Sequence, residues 1–157
     1  MASYDTPKVI NLGGQYTQHE AVAGGAIVPG MLLARQSDAV DTVEAHATAG
    51  GGCNPHFARE YYEIGKGIDD AYAADDTVVF YTFLPGAWVY ALVAASATAI
   101  TKGAWLSSAG DGTLEVAGDG DFVIAQAKEA VDNSAGASRA RIRVEVVTGF
   151  VLNPATA

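Results

Sequence analysis

Residues 77–84, Thr-Val-Val-Phe-Tyr-Thr-Phe-Leu, alternate without a polar face: Val78, Phe80 and Leu84 point one way, and Val79, Tyr81 and Phe83 the other. A strand that is apolar on both sides is either sandwiched between layers or lies in a barrel wall whose outside meets a partner. Residues 87–93 repeat the feature, with Trp88, Tyr90 and Leu92 opposite Val89 and Val93. Between the two runs lies Pro85-Gly86, in which proline presets φ and glycine supplies the positive φ of a type II turn. The tripeptide Gly86-Ala87-Trp88 recurs as Gly103-Ala104-Trp105, again straight after a turn-forming residue. No wider similarity flanks the two copies, so this is turn-and-strand chemistry used twice and not a duplicated domain.

The rest of the chain continues the β pattern. Strands are expected over residues 26–34, with a turn or bulge at Pro29-Gly30, and over residues 40–46. Residues 48–56 read as a flexible loop, and residues 57–64 as a strand or one helical turn ended by Gly65-Lys66-Gly67. After Trp105, the sequences Gly110-Asp111-Gly112 and Gly118-Asp119-Gly120 are hairpin turns leading into strands over 113–117 and 122–131. Residues 139–147 alternate cleanly, with Ala140, Ile142, Val144 and Val146 inward and Arg139, Arg141, Arg143 and Glu145 outward. Strands at intervals near ten residues indicate a barrel or sandwich. The expected organisation is all-β: an extended N-terminal arm over residues 1–20, a small β-barrel-like body over 21–150 and a tail over 151–157.

A chain of 157 residues is long enough to bury roughly 68–70% of its unfolded surface in one domain. Much of its 50% hydrophobic content is alanine, so the core depends on fewer large residues, and self-association would complete the burial. Net charge −9 opposes binding to nucleic acid, whose affinity rests on phosphate neutralisation. A single cysteine, Cys53, allows no intramolecular disulfide. The first twenty residues lack a basic start and apolar block, and the longest mostly apolar stretch, residues 87–100, is too short to span a bilayer. A protein made in the cytoplasm, with no membrane partner, is expected.

Few residues suggest chemistry. His46, Cys53 and His56 fall close together, but a structural zinc needs four ligands and no second compact pair exists, so the expectation is a loop with no metal and no cofactor. Only ligands contributed by other protomers around a threefold axis would change that. Asp111 and Asp119 sit between glycines as turn residues, and Asp69, Asp70, Asp75 and Asp76 do not match calcium-loop spacing. No serine lies in a nucleophile elbow, and no catalytic residue is assigned. Arg139, Arg141 and Arg143 either pair with acidic neighbours across strands or form a docking stripe for an acidic partner. Trp88 and Trp105 either pack in the core or a protomer interface, or form a stacking platform for a sugar or another planar ligand.

The order of segments resembles that of tailed-phage capsid decoration, or cement, proteins. The resemblance covers roughly residues 26–147. It is carried by Ile27-Val28-Pro29-Gly30-Met31-Leu32, by residues 67–78 from Gly67-Ile68-Asp69-Asp70 to Thr77-Val78, and by Pro85-Gly86. It continues through Ile100-Thr101-Lys102-Gly103-Ala104-Trp105-Leu106, Asp111-Gly112-Thr113-Leu114, Val123-Ile124-Ala125-Gln126-Ala127 and Arg141-Ile142-Arg143-Val144. It implies a β-tulip body that assembles as a homotrimer, sits on the capsid exterior of the virion and reinforces the expanded shell by bridging major capsid protein subunits. On that footing Tyr4, Pro7, Val9, Ile10, Leu12 and Tyr16 of the arm, with Arg139, Arg141 and Arg143, are the expected capsid- or subunit-binding residues. Trp88, Trp105, Tyr81 and Phe83 are the expected protomer interface. The alternative is a non-catalytic carbohydrate-binding or host-attachment β module that uses the tryptophans.

Overall fold

A computed structural model describes residues 6–38 and 40–153. The chain is almost entirely β. Its strands are β1 (Asn11–Gly13), β2 (Tyr16–Ala23), β3 (Leu33–Arg35), β4 (Thr42–Ala45), β5 (His56–Ala58), β6 (Thr77–Phe83), β7 (Trp88–Val93), β8 (Trp105–Ser108), β9 (Leu114–Val116), β10 (Phe122–Ala127) and β11 (Ala140–Val151), with one 3-10 turn, η1 (Tyr62–Ile64). They form two sheets, ordered β1-β7-β11-β10-β8-β9 and β3-β4-β2-β6-β5. In the first, a single parallel bridge, Val93↔Leu114, also links β9 back to β7, so the pairings β7-β11-β10-β8-β9 run in a circuit. In the second, β2 pairs antiparallel with β6 from Tyr16↔Phe83 to Val22↔Thr77, while β2 and β4 run parallel.

β6 is covered on both sides by its own chain. Val78 and Phe80 join a core with Ile27, Met31, Leu33, Val43, Tyr72 and Leu92. Tyr81 and Phe83 join the larger core, with Ile10, Phe57, Val89, Leu106, Leu114, Ile124 and Val144. The doubly apolar strand is thus sandwiched inside one protomer. Tyr81 is 6% and Phe83 1% exposed, which leaves neither a surface with which to form a protomer interface.

The expected arm is shorter than residues 1–20. Asn11–Gly13 pairs with β7 and Tyr16–Ala23 with β6, so this stretch enters both sheets. Ile10 is fully buried, and its N–H donates to the Glu60 carboxylate at 3.0 Å. The strand was hard to read in the sequence because Thr17, Gln18 and Glu20 are solvated; backbone pairing to β6 holds it along its length, and only small Ala21 and Ala23 enter the core. The strand expected over 26–34 is also displaced. Pro29-Gly30 breaks it into isolated bridges at Ile27↔Tyr72 and Leu32↔Phe57, and the regular strand begins only at Leu33.

Both Gly-Ala-Trp copies follow one turn geometry. Gly86 and Gly103 have φ of +95° and +89°, and Ala87 and Ala104 donate to the carbonyls of Leu84 and Thr101, each at 3.1 Å. Residues 57–64 contain both readings in turn, the end of β5 and then η1, which closes on Gly65 in the left-handed region.

Gly14 is different in kind from Gly86. It has φ +100°, and an added Cβ would lie 2.5 Å from Ala87 Cα, whereas nothing lies within 4 Å of a Cβ at Gly86. Gly86→Ala should cost about 1 kcal/mol from backbone conformation alone. Gly14→Ala should cost roughly 2–3 kcal/mol, because β1 and the Ala87 turn must also separate. Urea unfolding of the two variants measures the difference, and equal midpoints would contradict the close approach.

Candidate functional site

Three half-exposed aromatic residues, Trp88, Trp105 and Phe150, lie on the first sheet, the two tryptophans in one register row; Tyr16 on β2 and Tyr62 in η1 are exposed elsewhere. Trp88 on β7 pairs with Glu145 on β11, Glu145 with Gln126 on β10, and Gln126 with Trp105 on β8. Three strand spacings put the two tryptophans roughly 14 Å apart across the sheet. Alternation explains the placement: Val89, Leu106, Ala125 and Val146 turn into the core, so their neighbours in each strand turn out. Trp88 and Trp105 are 39% and 38% exposed. Phe150, 37% exposed, meets Trp105 edge to face at 5.2 Å between ring centres.

Polar groups fill the row between the indoles. Lys128 Nζ lies 2.9 Å from Glu145 Oε2, donates to Gln126 Oε1 at 3.1 Å and sits 5.9 Å from the centre of the Trp88 ring. The Gln126 amide donates to the Gly103 carbonyl at 3.1 Å. The result is a sheet face with an aromatic residue at each end and a connected ammonium, carboxylate and amide between them.

The arginines on β11 do not form a free stripe. Arg141 donates to Asp69 at 2.8 Å and to the carbonyls of Pro29 and Ile68, tying β11 to two loops. Arg143 donates to Glu129 at 2.9 Å, and Glu129 also receives the Arg143 N–H. Arg139, just before β11, is exposed. The acidic residues that loop composition scattered along the sequence are the partners that fold supplies, and they take up the charge of Arg141 and Arg143 within the protomer.

The N-terminal candidates separate as well. Tyr4 lies outside the described residues. Pro7 is half-buried and lines a cavity of about 420 Å³ with Lys8 and the Gly67–Asp70 turn, and Val9 is exposed. Ile10 belongs to the core, half-buried Leu12 packs against it, and Tyr16 stacks on Tyr81 with ring centres 3.9 Å apart. Beneath Tyr81 lies Arg59, fully buried and also under the Tyr62 ring, with its guanidinium paired to Glu63. Nothing in the sequence pattern distinguished Arg59 or Glu60, since a charged side chain buried by distant segments leaves no periodic trace.

The turn aspartates act on the backbone. Asp111 accepts from the Thr113 N–H at 3.1 Å, Asp121 from Gly118 at 2.7 Å, Asp70 from Gly67 at 2.7 Å and Asp76 from Ala73 at 2.8 Å.

His46, Cys53 and His56 do come together. All three line a cavity of about 210 Å³ with Arg35 and Asn54. His46 is engaged at both nitrogens, by Ser108 Oγ at 2.7 Å and the Gly52 carbonyl at 3.2 Å, and His56 Nδ1 by Thr82 Oγ1 at 2.7 Å. Burial pushes the Cys53 thiol up to about 11. Burial, then the charges of Arg35 and His19, holds His56 down at about 4. Among the described residues, no group of three or more His, Cys, Asp or Glu is placed to hold a metal ion, and no helix is long and apolar enough to cross a membrane.

No family model matches the chain, and no curated protein matches it in sequence.

Two measurements follow from this cavity. With its folded value near 4 and its ordinary value of 6.5, His56 binds a proton more readily in the unfolded chain. Its contribution to stability is therefore intact above about pH 6.5 and is lost as pH falls to about 4, by roughly 3 kcal/mol in all. His56→Gln should flatten that part of the acid-stability curve; an unchanged slope would contradict the burial of the ring. At pH 8 the Cys53 thiolate fraction should be about a hundredfold below that of the unfolded chain, so labelling by a disulfide reagent should slow by a similar factor. Labelling at the rate of an unstructured thiol would place Cys53 outside the cavity.

Proposed function

We propose that the chain is a structural virion protein that binds the outside of a tailed-phage capsid as a homotrimer and stabilises the expanded shell by bridging major capsid protein subunits. The observation that carries this reading is the row of half-exposed Trp88 and Trp105, with Phe150 packed against Trp105, held on the outer face of a paired sheet. Large aromatics fixed on strands lose little conformational freedom on contact, and they are the residue types that dominate protein interfaces. The order of segments from residue 26 to 147 supports the same reading. In it Trp88 and Trp105 form the contact between protomers or with the shell, while Tyr81 and Phe83 act inside the fold. No residue turns over substrate: a subunit that binds the assembled lattice better than free capsid protein opposes dissociation by mass action.

Residues 1–9 are the clamp in this account, with Lys8 and Val9 exposed, and Ile10 with its bond to Glu60 is the anchor from which the clamp departs. Deleting residues 1–9 should leave the oligomer intact by light scattering and abolish co-sedimentation with expanded capsids. Full capsid binding by the truncated protein would overturn the role of the clamp. Trp88→Ser with Trp105→Ser should weaken assembly or capsid binding about tenfold or more; no change in either would overturn the role of the aromatic row.

A second reading is favoured by one feature of the same row. Two indoles flanking Gln126, Glu145 and Lys128 provide stacking surfaces with hydrogen-bonding groups between them, the arrangement a carbohydrate platform needs. Saturable binding to polysaccharides that disappears in the tryptophan variants, without binding to capsids, would select this reading.

A further inference from the structure

At one end of the smaller core, basic side chains from three strands surround a single aromatic ring. His19 on β2 stacks on Phe80 with ring centres 5.3 Å apart, His56 on β5 meets it edge-on at 5.5 Å, and the Arg35 guanidinium of β3 lies 5.2 Å above it. The His19 and His56 rings are 6.4 Å apart. Arg35 and His56 also line the 210 Å³ cavity, with Asn54, His46 and Cys53. That volume corresponds to roughly seven waters.

His56 is the feature that gives the cavity a use. Its ring is nine-tenths buried, its Nδ1 is held by Thr82, and its Nε2 has no hydrogen-bond partner among the described residues. Nε2 is not sealed in protein, unlike the orphaned Nε of Arg59. Asp41 engages only Nη1 of Arg35 among the described contacts, and a guanidinium carries five donors. The ionisable groups facing His56 are Arg35, His19, His46 and Cys53, with Asp41 beyond the guanidinium. In a protein of net charge −9, this places a guanidinium with donors to spare beside a cavity that also holds an unpartnered imidazole nitrogen.

We propose that this cavity binds a small oxyanion, seated between the Arg35 guanidinium and His56 Nε2 with the Asn54 amide as a further donor. The anion supplies the counter-charge that lets His56 take up a proton beside Arg35 and His19. Binding is therefore linked to protonation: the anion raises the proton affinity of His56, and acidification raises the affinity for the anion by the same coupling. The site is independent of the aromatic row on the first sheet and of the capsid reading.

The test follows the His56 imidazole by NMR in the full-length protein while sodium sulfate or sodium acetate is added, with sodium chloride at matched ionic strength as control. Sulfate should saturate and raise the His56 midpoint by about one pH unit or more from its value near 4. With a one-unit rise, the apparent affinity should increase up to about tenfold in all as pH falls from about 5 to about 4. Arg35→Gln, a change to a side chain at the surface, should weaken binding about tenfold or more while circular dichroism stays unchanged. A response to acetate but not to sulfate supports the site and narrows its ligand to carboxylates. Equal midpoints in sulfate, acetate and chloride would overturn the proposal, as would undiminished binding by the Arg35→Gln protein.

Discussion

The fold depends above all on β6, because it buries aromatic rings in both cores, to which β5 and β7 also contribute. Phe80 on one side and Tyr81 with Phe83 on the other bury their rings in separate clusters, so each interior loses a large ring without this element. Each ring contributes on the order of 2–3 kcal/mol by leaving water. Backbone pairing then transmits the constraint outward. β2 is registered on β6 along its whole pairing from Tyr16 to Val22, and β1, two residues before β2, is registered on β7. The first part of the chain thereby stitches the two sheets together.

Charge is arranged to leave the aromatic face as the distinctive surface. Arg141 ties β11 to the loops at Pro29 and Asp69, Arg143 is neutralised by Glu129, and Arg59 is enclosed by Tyr62, Tyr81 and Glu63. These bonds consume a large share of the few positive charges within the protomer. Contact through Trp88, Trp105 and Phe150 would then rest on aromatic burial and on the rim formed by Lys128, Glu145 and Gln126, not on long-range attraction to an acidic partner. Arg35, paired with Asp41 through one nitrogen, differs in lining a cavity beside His56, which burial first and then the charges of Arg35 and His19 hold down at about 4.

Local chemistry was legible where a residue's role is set by its immediate neighbours. Proline and glycine at 85 and 86, glycine at 103 and the Gly-Asp-Gly turns each prescribe a backbone conformation that few other residues adopt, and the chain turns there. The alternation of Ile142, Val144 and Val146 was equally readable, since one face of β11 meets the core and the other meets water. Tyr16–Ala23 was not legible as a strand, because its outward residues are polar and its stability comes from a partner sixty residues away. Arg59 and Glu60 were invisible for a related reason: burial of a charged side chain depends on where distant chain segments meet, and no local pattern encodes that meeting.

The amino-acid sequence by itself determined that the chain is β-rich, where it turns, and that one strand must be covered on both faces. It also determined which residues could do chemistry if gathered, including His46, Cys53 and His56. Only the tertiary structure decided that β6 is covered from within, which removes Tyr81 and Phe83 from any interface and leaves Trp88 and Trp105 as the exposed pair. It alone placed Asp69 and Glu129 against the arginines, and brought Arg35 and His19 to the ring of His56. The physical reason is range. Turn conformation and alternation are imposed by sterics over a few residues, whereas burial, charge pairing and cavity lining are set by strands that meet from far apart in the chain.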